Sequence, residues 1–342
     1  MSPTPIIDMF SGTGELARSV SAGLEEPARP VSFSDTYGPA RKYLRHRFPD
    51  VEVCKDFRDQ IVPKGSIVTI GAPCQDLSVA GWRAGAERGS GTRSSLIHEA
   101  LDKAVAGGAD LIVAENVPGG HSTYLALADW LAKEHGYHTT VSSAGAWEIG
   151  TPHRRERIML VATRKHFDTH CVNVIRQVAP AGLIPTPTAS SSAGPGRAGR
   201  GAGANLQTRI HEGPGPDPAL IITWARAIGE MHPPLKDIEG RLNAPFVEWL
   251  MGLPTDNAAN LSRTARIRLA GNAVVAEQAG LMLQRGLTAT NDTKGALRWS
   301  SPRSASNPKR LKSETSSALT PMILRSRTSD PIPPPKVKPS TF

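Results

Sequence analysis

Residues 5–16 read PIIDMFSGTGEL, and this short stretch decides the fold. Pro5 to Phe10 is an apolar run of strand length, broken by Gly12 and Gly14, after which an amphipathic pattern begins near Glu15 and predicts a helix over Leu16 to Gly23. Glycines let a backbone approach a ligand closely, and a helix N-terminus offers free amides to a carboxylate or phosphate. A tight turn with no ligand would read the same way, so the stretch predicts a strand–turn–helix unit without naming what it holds.

Working outward, further apolar runs fall at Val31 to Phe33, Ser66 to Ile70, Ala109 to Ala114, Thr139 to Ser143 and Arg157 to Thr163. Helical patterns lie between them at Pro39 to Arg47, Ser94 to Ala106 and Thr123 to His135. This alternation predicts an α/β domain with a mainly parallel sheet, whose ligands bind at the carboxyl ends of the strands. Asp35 follows the second strand about twenty residues after the glycines, where an acidic side chain would accept hydrogen bonds from ribose hydroxyls. A nicotinamide, flavin or S-adenosylmethionine cofactor would each suit that arrangement.

Composition narrows the class. The chain has 342 residues, 39% hydrophobic and 21% charged, enough to bury a sizeable core. Cys54, Cys74 and Cys171 are too few and too scattered for a disulfide framework, and none sits in a zinc-like pair, so we expect a reducing, cytoplasmic setting and no metal. The N-terminus MSPTPIIDMF has no basic region and no long apolar stretch, which predicts neither a signal peptide nor a membrane span. The net charge of +9 is unevenly placed: residues 291–342 hold ten Lys or Arg against three Asp or Glu, leaving thirty basic and twenty-eight acidic residues before them. That Ser- and Pro-rich tail cannot bury enough apolar surface to offset ordering, and it reads as disordered, either solubilising or a phosphate-contacting arm.

Three strand ends carry chemistry. GAPCQDLS, residues 71–78, places Cys74 at the head of a loop, Gln75 to Arg93, that contains Gly81, Gly85, Gly89 and Gly91. A thiol at the mouth of a crevice is placed as a nucleophile rather than as core filler. The run ADLIVA ends in Glu115-Asn116-Val117-Pro118, setting a carboxyl at the same sheet edge, a candidate proton donor beside the thiol. In TPHRRER, residues 151–157, alternation along an extended segment sends Arg155 and Arg157 to one face, suited to an anionic or carbonyl-bearing substrate.

In this order, DMFSGTGE, GAPCQDLSVAG, ENV, PHRRER and RLAGNAVVAEQAG resemble the motifs of the DNA (cytosine-5)-methyltransferase family, over about residues 5 to 286. LNAPFVEWLMGLP, with PTPTAS upstream, is similar to versions carried by bacteriophages. Departures stand at Glu15 for the usual glycine, Asp76-Leu77 for Pro-Phe, His153 for glutamine, and Ala273 and Ala276 for Ser and Pro. The resemblance implies an α/β S-adenosylmethionine-dependent methyltransferase fold, a Rossmann-like mixed sheet with a smaller target-recognition domain and a disordered C-terminal tail. The implied divisions are residues 1–165 for catalysis and cofactor, 166–240 for target recognition, 241–288 returning to the first domain through a helix over Val274 to Arg285, and 289–342 as the tail.

The family also implies roles. The Cys74 thiolate attacks C6 of a flipped-out cytosine, Glu115 supports protonation at N3, Arg157 contacts the O2 side, and Arg155 organises the neighbourhood of the thiol. The S-adenosylmethionine methyl group then passes to C5. Phe10, Gly12, Gly14, Asp35, Asp56, Pro73, Leu96, Asn272 and Val274 would line the cofactor pocket. Double-stranded DNA is the implied partner of a monomer, contacted by Gln75 and Ser78. Within 166–240, PTPTASSSAGPGRAGRGAGANLQTR offers Arg197, Arg200 and Arg209, with Asn205 and Gln207, as side chains suited to base edges. An RNA-directed cytosine-5 methyltransferase of the same fold, or a non-catalytic DNA-binding relative, are the alternatives. A nicotinamide-dependent oxidoreductase would leave the cysteine, glutamate and arginine motifs without a use.

Overall fold

The inner strands of this chain, among them IVTI, LIVAEN and ERIMLVAT, are buried along nearly every residue rather than on alternate ones, because both faces of the sheet are covered. A computed structural model describes residues 2–73, 96–193, 205–213, 215–255, 258, 260–292 and 298–300. The order is β1 (Thr4–Met9), α1 (Glu15–Gly23), β2 (Ala28–Ser34), α2 (Gly38–Arg47), β3 (Glu52–Cys54), β4 (Ile67–Ile70), α3 (Leu96–Ala106), β5 (Leu111–Asn116), α4 (His121–His135), β6 (His138–Gly145) and β7 (Glu156–Thr163). Then follow α5 (Leu206–Glu212), α6 (Pro218–Ile228), α7 (Ala244–Leu250), α8 (Arg263–Asn272), α9 (Ala276–Asp292) and β8 (Arg298–Ser300).

The strands join in the order β3-β2-β1-β4-β5-β7-β6-β8. All described neighbours are parallel except at β7, which runs antiparallel to both β5 and β6. The sheet is therefore mixed, and the expectation of a mainly parallel sheet holds for β1 to β5. From β1 the chain first builds outward through β2 and β3, then crosses to the opposite side as β4. That reversal makes the carboxyl ends of β1 and β4 the switch point, the natural ligand crevice of an open α/β sheet.

One face of the sheet carries α3 and α4, through Ile97, Ala100, Leu101, Tyr124, Leu127 and Leu131. The other carries α1 and α9, through Leu16, Val20, Ala279, Met282 and Leu283. Ser19 Oγ donates to the Ala276 carbonyl at 2.7 Å, and Gly23 has the Leu283 side chain against it, so the last long helix lies directly on the first. Gln278 Nε2 donates to the carbonyls of Ala144 and Arg155 at 2.8 and 2.7 Å, fastening α9 to β6 and the approach to β7.

Two tryptophans join residues 206–230 to the return segment. Trp224 Nε1 donates to the Trp249 carbonyl at 2.9 Å, and Trp249 Nε1 donates to the Glu230 carbonyl at 3.0 Å. Asp217 caps α6 through the Ala219 N–H, Pro218 occupies its first turn, and Gly229 ends it at φ 72°. Residues 166–240 belong to the same compact unit as the sheet, Met1–Ser304.

Differences from the sequence reading are local. The edge strand β3 was not expected: three residues, none of them buried, carry no periodicity. The helix expected over Val274 to Arg285 begins at Ala276 and continues to Asp292. Within the stretch read as tail, Arg298–Ser300 pairs in parallel with Thr140–Ser142 of β6. Among the described residues no helix is long and apolar enough to cross a membrane.

Candidate functional site

At the switch point the chain leaves β1 under strain. Phe10, expected as the last strand residue, has φ 58° and is the one described non-glycine residue with positive φ, followed by Gly12 at 56° and Gly14 at 75°. Left-handed backbone at a non-glycine is unfavourable and persists where the surroundings enforce it, which is typical of ligand sites. Among the described residues a Cβ on Gly12 would meet nothing within 4 Å, whereas one on Gly14 would press on Phe33, Leu44 and Phe48.

Asp35 closes the loop from the side. Its Oδ2 accepts from the Gly12 N–H at 2.9 Å and its Oδ1 from the Tyr37 N–H at 2.7 Å, leaving lone pairs on both oxygens for hydroxyl donors. Burial raises this carboxyl above the usual range, against the lowering effect of those two N–H groups. The Phe10 ring lies 4.9 Å from that of Phe57, which sequence reasoning passed over because a lone aromatic in a turn shows no pattern. Asp56 caps the Phe57–Asp59 turn through the Arg58 N–H and pairs with Arg58 at 3.1 Å. Pro73 is half-buried just past β4, Leu96 opens α3, Asn272 is exposed at the end of α8, and Val274 is half-buried between α8 and α9.

Beneath the loop lies a polar floor. Asp8 faces Thr69 across the β1–β4 register, and the Thr69 hydroxyl donates to Asp8 Oδ1. Gln60 Nε2 donates to the Asp8 carbonyl at 3.2 Å, and Ser34 Oγ to Gln60 Oε1 at 2.8 Å. Asp8 is 1% exposed, its Oδ2 has no hydrogen-bond partner among the described residues, and burial pushes its carboxyl up to about 7.

The second half of the site comes from the β5–β7 register. Glu115 stands opposite Met159, so Arg157, two residues along on the same face, is its diagonal neighbour. Arg157 Nε lies 2.9 Å from Glu115 Oε1, close enough for an ion pair but not aligned as a hydrogen bond, and Oε1 is left as a buried acceptor without one. Asn116 fixes the turn that follows. Its Oδ1 accepts from the Val117 N–H at 2.8 Å, while its Nδ2 donates to Tyr124 Oη at 3.1 Å and the Ala72 carbonyl at 3.4 Å.

Arg155 has different partners from Arg157, although alternation predicted two guanidiniums pointing together. It is 2% exposed, and its guanidinium donates to the carbonyls of Ala273, Gly271 and Pro187. His153 is fully buried, donates through Nε2 to the Leu250 carbonyl at 2.9 Å, and is driven down to about 3 by burial, so it stays neutral. A glutamine amide could make that same donation. Glu15, the other marked departure, is paired with Arg18 at 2.5 Å and with Arg47, which neutralise it under the loop.

Cys74, Gln75, Ser78, Arg197 and Arg200 lie outside the described residues. Of the candidate base readers that are described, Asn205 uses its carboxamide oxygen to cap α5 through the Thr208 N–H, and Gln207 is buried. Those two are committed to the fold; Arg209 is half-buried on the same helix. Among the described residues no group of three His, Cys, Asp or Glu could hold a metal ion.

Known proteins resemble this chain in sequence and in fold. The model of the family described as C-5 cytosine-specific DNA methylase matches residues 4–189, more than half of the chain. The type II methyltransferase M2.BsuMI of Bacillus subtilis (strain 168) is 26% identical over 320 residues, covering 85% of this chain and 78% of that protein. The type II methyltransferase M.CviJI of Paramecium bursaria Chlorella virus IL3A is 28% identical over 167 residues, 47% of this chain and 44% of that protein. Among solved structures, the Entamoeba histolytica methyltransferase EhMeth superposes with a TM-score of 0.55 at 14% identity, covering 86% of this chain and all of that one, a likeness of fold alone.

Proposed function

Because the chain belongs to the family of C-5 cytosine-specific DNA methylases, we propose that it methylates C5 of a cytosine flipped out of double-stranded DNA, through a covalent adduct between Cys74 and C6, using S-adenosylmethionine. The observation that carries this reading is the pair of the buried Glu115 with the half-buried Arg157 at the carboxyl end of β5, beside the switch point where the strained Phe10 loop lies.

Cytosine C5 is too weak a nucleophile to take a methyl group unaided, so the protein must first place electron density there. In the proposed sequence the Cys74 thiolate forms a bond to C6, and the displaced electron pair moves toward N3, where a proton supplied with the help of Glu115 is taken up. Arg157 holds Glu115 in place and faces the O2 side. The enamine carbon C5 then attacks an electrophilic methyl group, whose carbon–sulfur bond breaks with its electron pair left on sulfur; a base removes the C5 proton, the returning electron pair expels the thiolate, and N3 gives back its proton. S-adenosylmethionine, when bound, supplies that electrophilic methyl group through its sulfonium.

The loop fits such a cofactor: no described atom within 4 Å of a Cβ on Gly12, free lone pairs on Asp35 for ribose hydroxyls, and the Phe10 ring braced by Phe57. Asp56, Pro73, Leu96, Asn272 and Val274 would complete the pocket. Target sequence would be read by residues 166–240, since groups at the sheet edge serve any cytosine and cannot discriminate its neighbours.

The test is bisulfite sequencing of DNA from cells expressing the protein, with transfer RNA as a parallel substrate in vitro. Methylated cytosines at a fixed DNA sequence context are expected. Methylation of RNA with none on DNA would refute the DNA assignment.

A further inference from the structure

We propose that Arg268 and Tyr37 form a clasp through which the segment returning to the sheet holds the ribose end of the cofactor cleft. Arg268 is a positioning residue: it acts on the cofactor through the backbone that carries Asp35. This deepens the reading above and rests on it for the identity of the cofactor.

Asp35 stands just past β2, where its N–H reaches the Cys54 carbonyl of the edge strand only at 3.4 Å. A carboxyl that has to meet ribose hydroxyls at hydrogen-bond distance needs its backbone held more closely. The closer bonds come from the residues after it. Arg41, in the first turn of α2, folds back so that its Nη1 donates to the carbonyls of Asp35 and Thr36, each at 2.8 Å. With the Tyr37 N–H donating to Asp35 Oδ1, residues 35–41 form one closed unit. The carboxyl goes where the start of α2 goes.

The start of α2 is gripped from the far end of the chain. Ala40 and Tyr43 are buried with Ala258 and Leu269, and Tyr37 and Leu261 pack against them. Lys42 Nζ donates to the Asn260 carbonyl at 3.0 Å. The Arg268 guanidinium lies over the Tyr37 ring, 4.9 Å from its centroid, at the border of that cluster with solvent. Arg268 and Asn272 are four residues apart and both exposed, so they share one face of α8. The helix that presents Asn272 therefore also presents the clasp. α8 is itself anchored to α7: Arg266 donates to both carboxylate oxygens of Glu248 at 2.8 and 2.5 Å, and to the Thr255 carbonyl at 2.9 Å. Arg268 thus works from an anchored helix, and what it holds is the turn from which the ribose carboxyl hangs.

A cation over an aromatic ring at an exposed site contributes a factor of about two to five in an equilibrium constant, and an apparent Kd rises as the binding-competent fraction falls. Calorimetric titration of the full chain with S-adenosylmethionine, with steady-state kinetics on DNA, reads that factor. Arg268→Gln is expected to raise the cofactor Kd and KM about two- to fivefold, with kcat at saturating cofactor unchanged. Arg268→Lys, which keeps a cation over the ring, is expected to retain most of the affinity. Tyr37→Leu is expected to match Arg268→Gln, and the two together to do no more than either. In an Asp35→Ala background, where the ribose has lost its acceptor, Arg268→Gln is expected to change nothing further. A merely structural role would weaken both backgrounds alike. Wild-type Kd in the folded Arg268→Gln variant overturns the inference, as does an equal rise in the Asp35→Ala background or a fall in kcat with cofactor KM unchanged. Should Arg268→Gln not fold, Tyr37→Leu decides by the same outcomes. A wild-type chain that binds the cofactor but methylates no DNA refutes the functional reading, while the titrations still decide the clasp.

Discussion

Asp8→Asn isolates the electrostatic penalty stored under the glycine loop. Asp8 is 1% exposed, and burial raises its carboxyl from 3.8 to about 7, with the charge of Asp35 adding to the effect. In the unfolded chain the group ionises near its ordinary value, so between pH 4 and 7 the folded state binds more protons than the unfolded one, and stability falls as pH rises. Below pH 4 both states are protonated and the penalty vanishes; above pH 7 both are ionised and it levels off. At about 1.4 kcal/mol per unit the whole interval amounts to about 4 kcal/mol, of which about 2–3 kcal/mol falls between pH 5 and 8. Asparagine keeps the acceptor for Thr69 but does not titrate, and any unsatisfied amide N–H it introduces adds an offset independent of pH. Urea unfolding of both proteins from pH 5 to 8 should therefore show the variant gaining about 2–3 kcal/mol on the wild type across that range. Other titrating groups contribute equally to both proteins and drop out of the difference. Parallel stability curves would show that Asp8 is ionised in the folded protein throughout, and the account of the loop floor would be wrong.

Four further outcomes follow from the site. Cys74→Ala should abolish methyl transfer while leaving S-adenosylmethionine binding within a few-fold of wild type by calorimetry, and near-normal turnover would exclude the covalent step. His153→Gln should leave thermal stability and turnover nearly unchanged because its amide can donate to the Leu250 carbonyl, whereas His153→Leu, which leaves that carbonyl unpaired, should lose about 1–3 kcal/mol by urea unfolding. Removing residues 301–342 deletes eight Lys or Arg and two Asp or Glu; if they act as a phosphate-contacting arm, DNA affinity should fall uniformly across sequences and its salt dependence should flatten in filter-binding titrations. Grafting residues 166–240 into a relative of different specificity should transfer the methylated sequence, read by genome-wide bisulfite mapping; an active chimera that keeps the recipient's site would refute the assignment.

The central strands were legible because their information is local. Apolar runs such as Ile67–Ile70 are buried at every residue, and a strand covered on both faces has to be written that way. The helix α6 was not expected from the sequence, although Asp217, Pro218 and Gly229 mark its ends. Asn205 and Gln207 look like base readers by residue type alone. One became a cap and the other a buried residue because α5 begins between them, a boundary that composition does not mark.

By itself, the sequence determined the order of the motifs, the strand–glycine–helix loop and the identity of Glu115, Arg155 and Arg157 as residues of a single sheet edge, since alternation and glycine conformational freedom act over a few residues. What only the tertiary structure decided is which partner each of them meets. Arg157 reaches Glu115 through the antiparallel β5–β7 register, and Arg155 reaches carbonyls 116 and 118 residues away on the returning helix end. Asp8 carries its raised pKa because the loop, β4 and Gln60 close over it together. Hydrogen bonding and desolvation depend on distance in space, and separations of that length are settled by packing rather than by any local pattern.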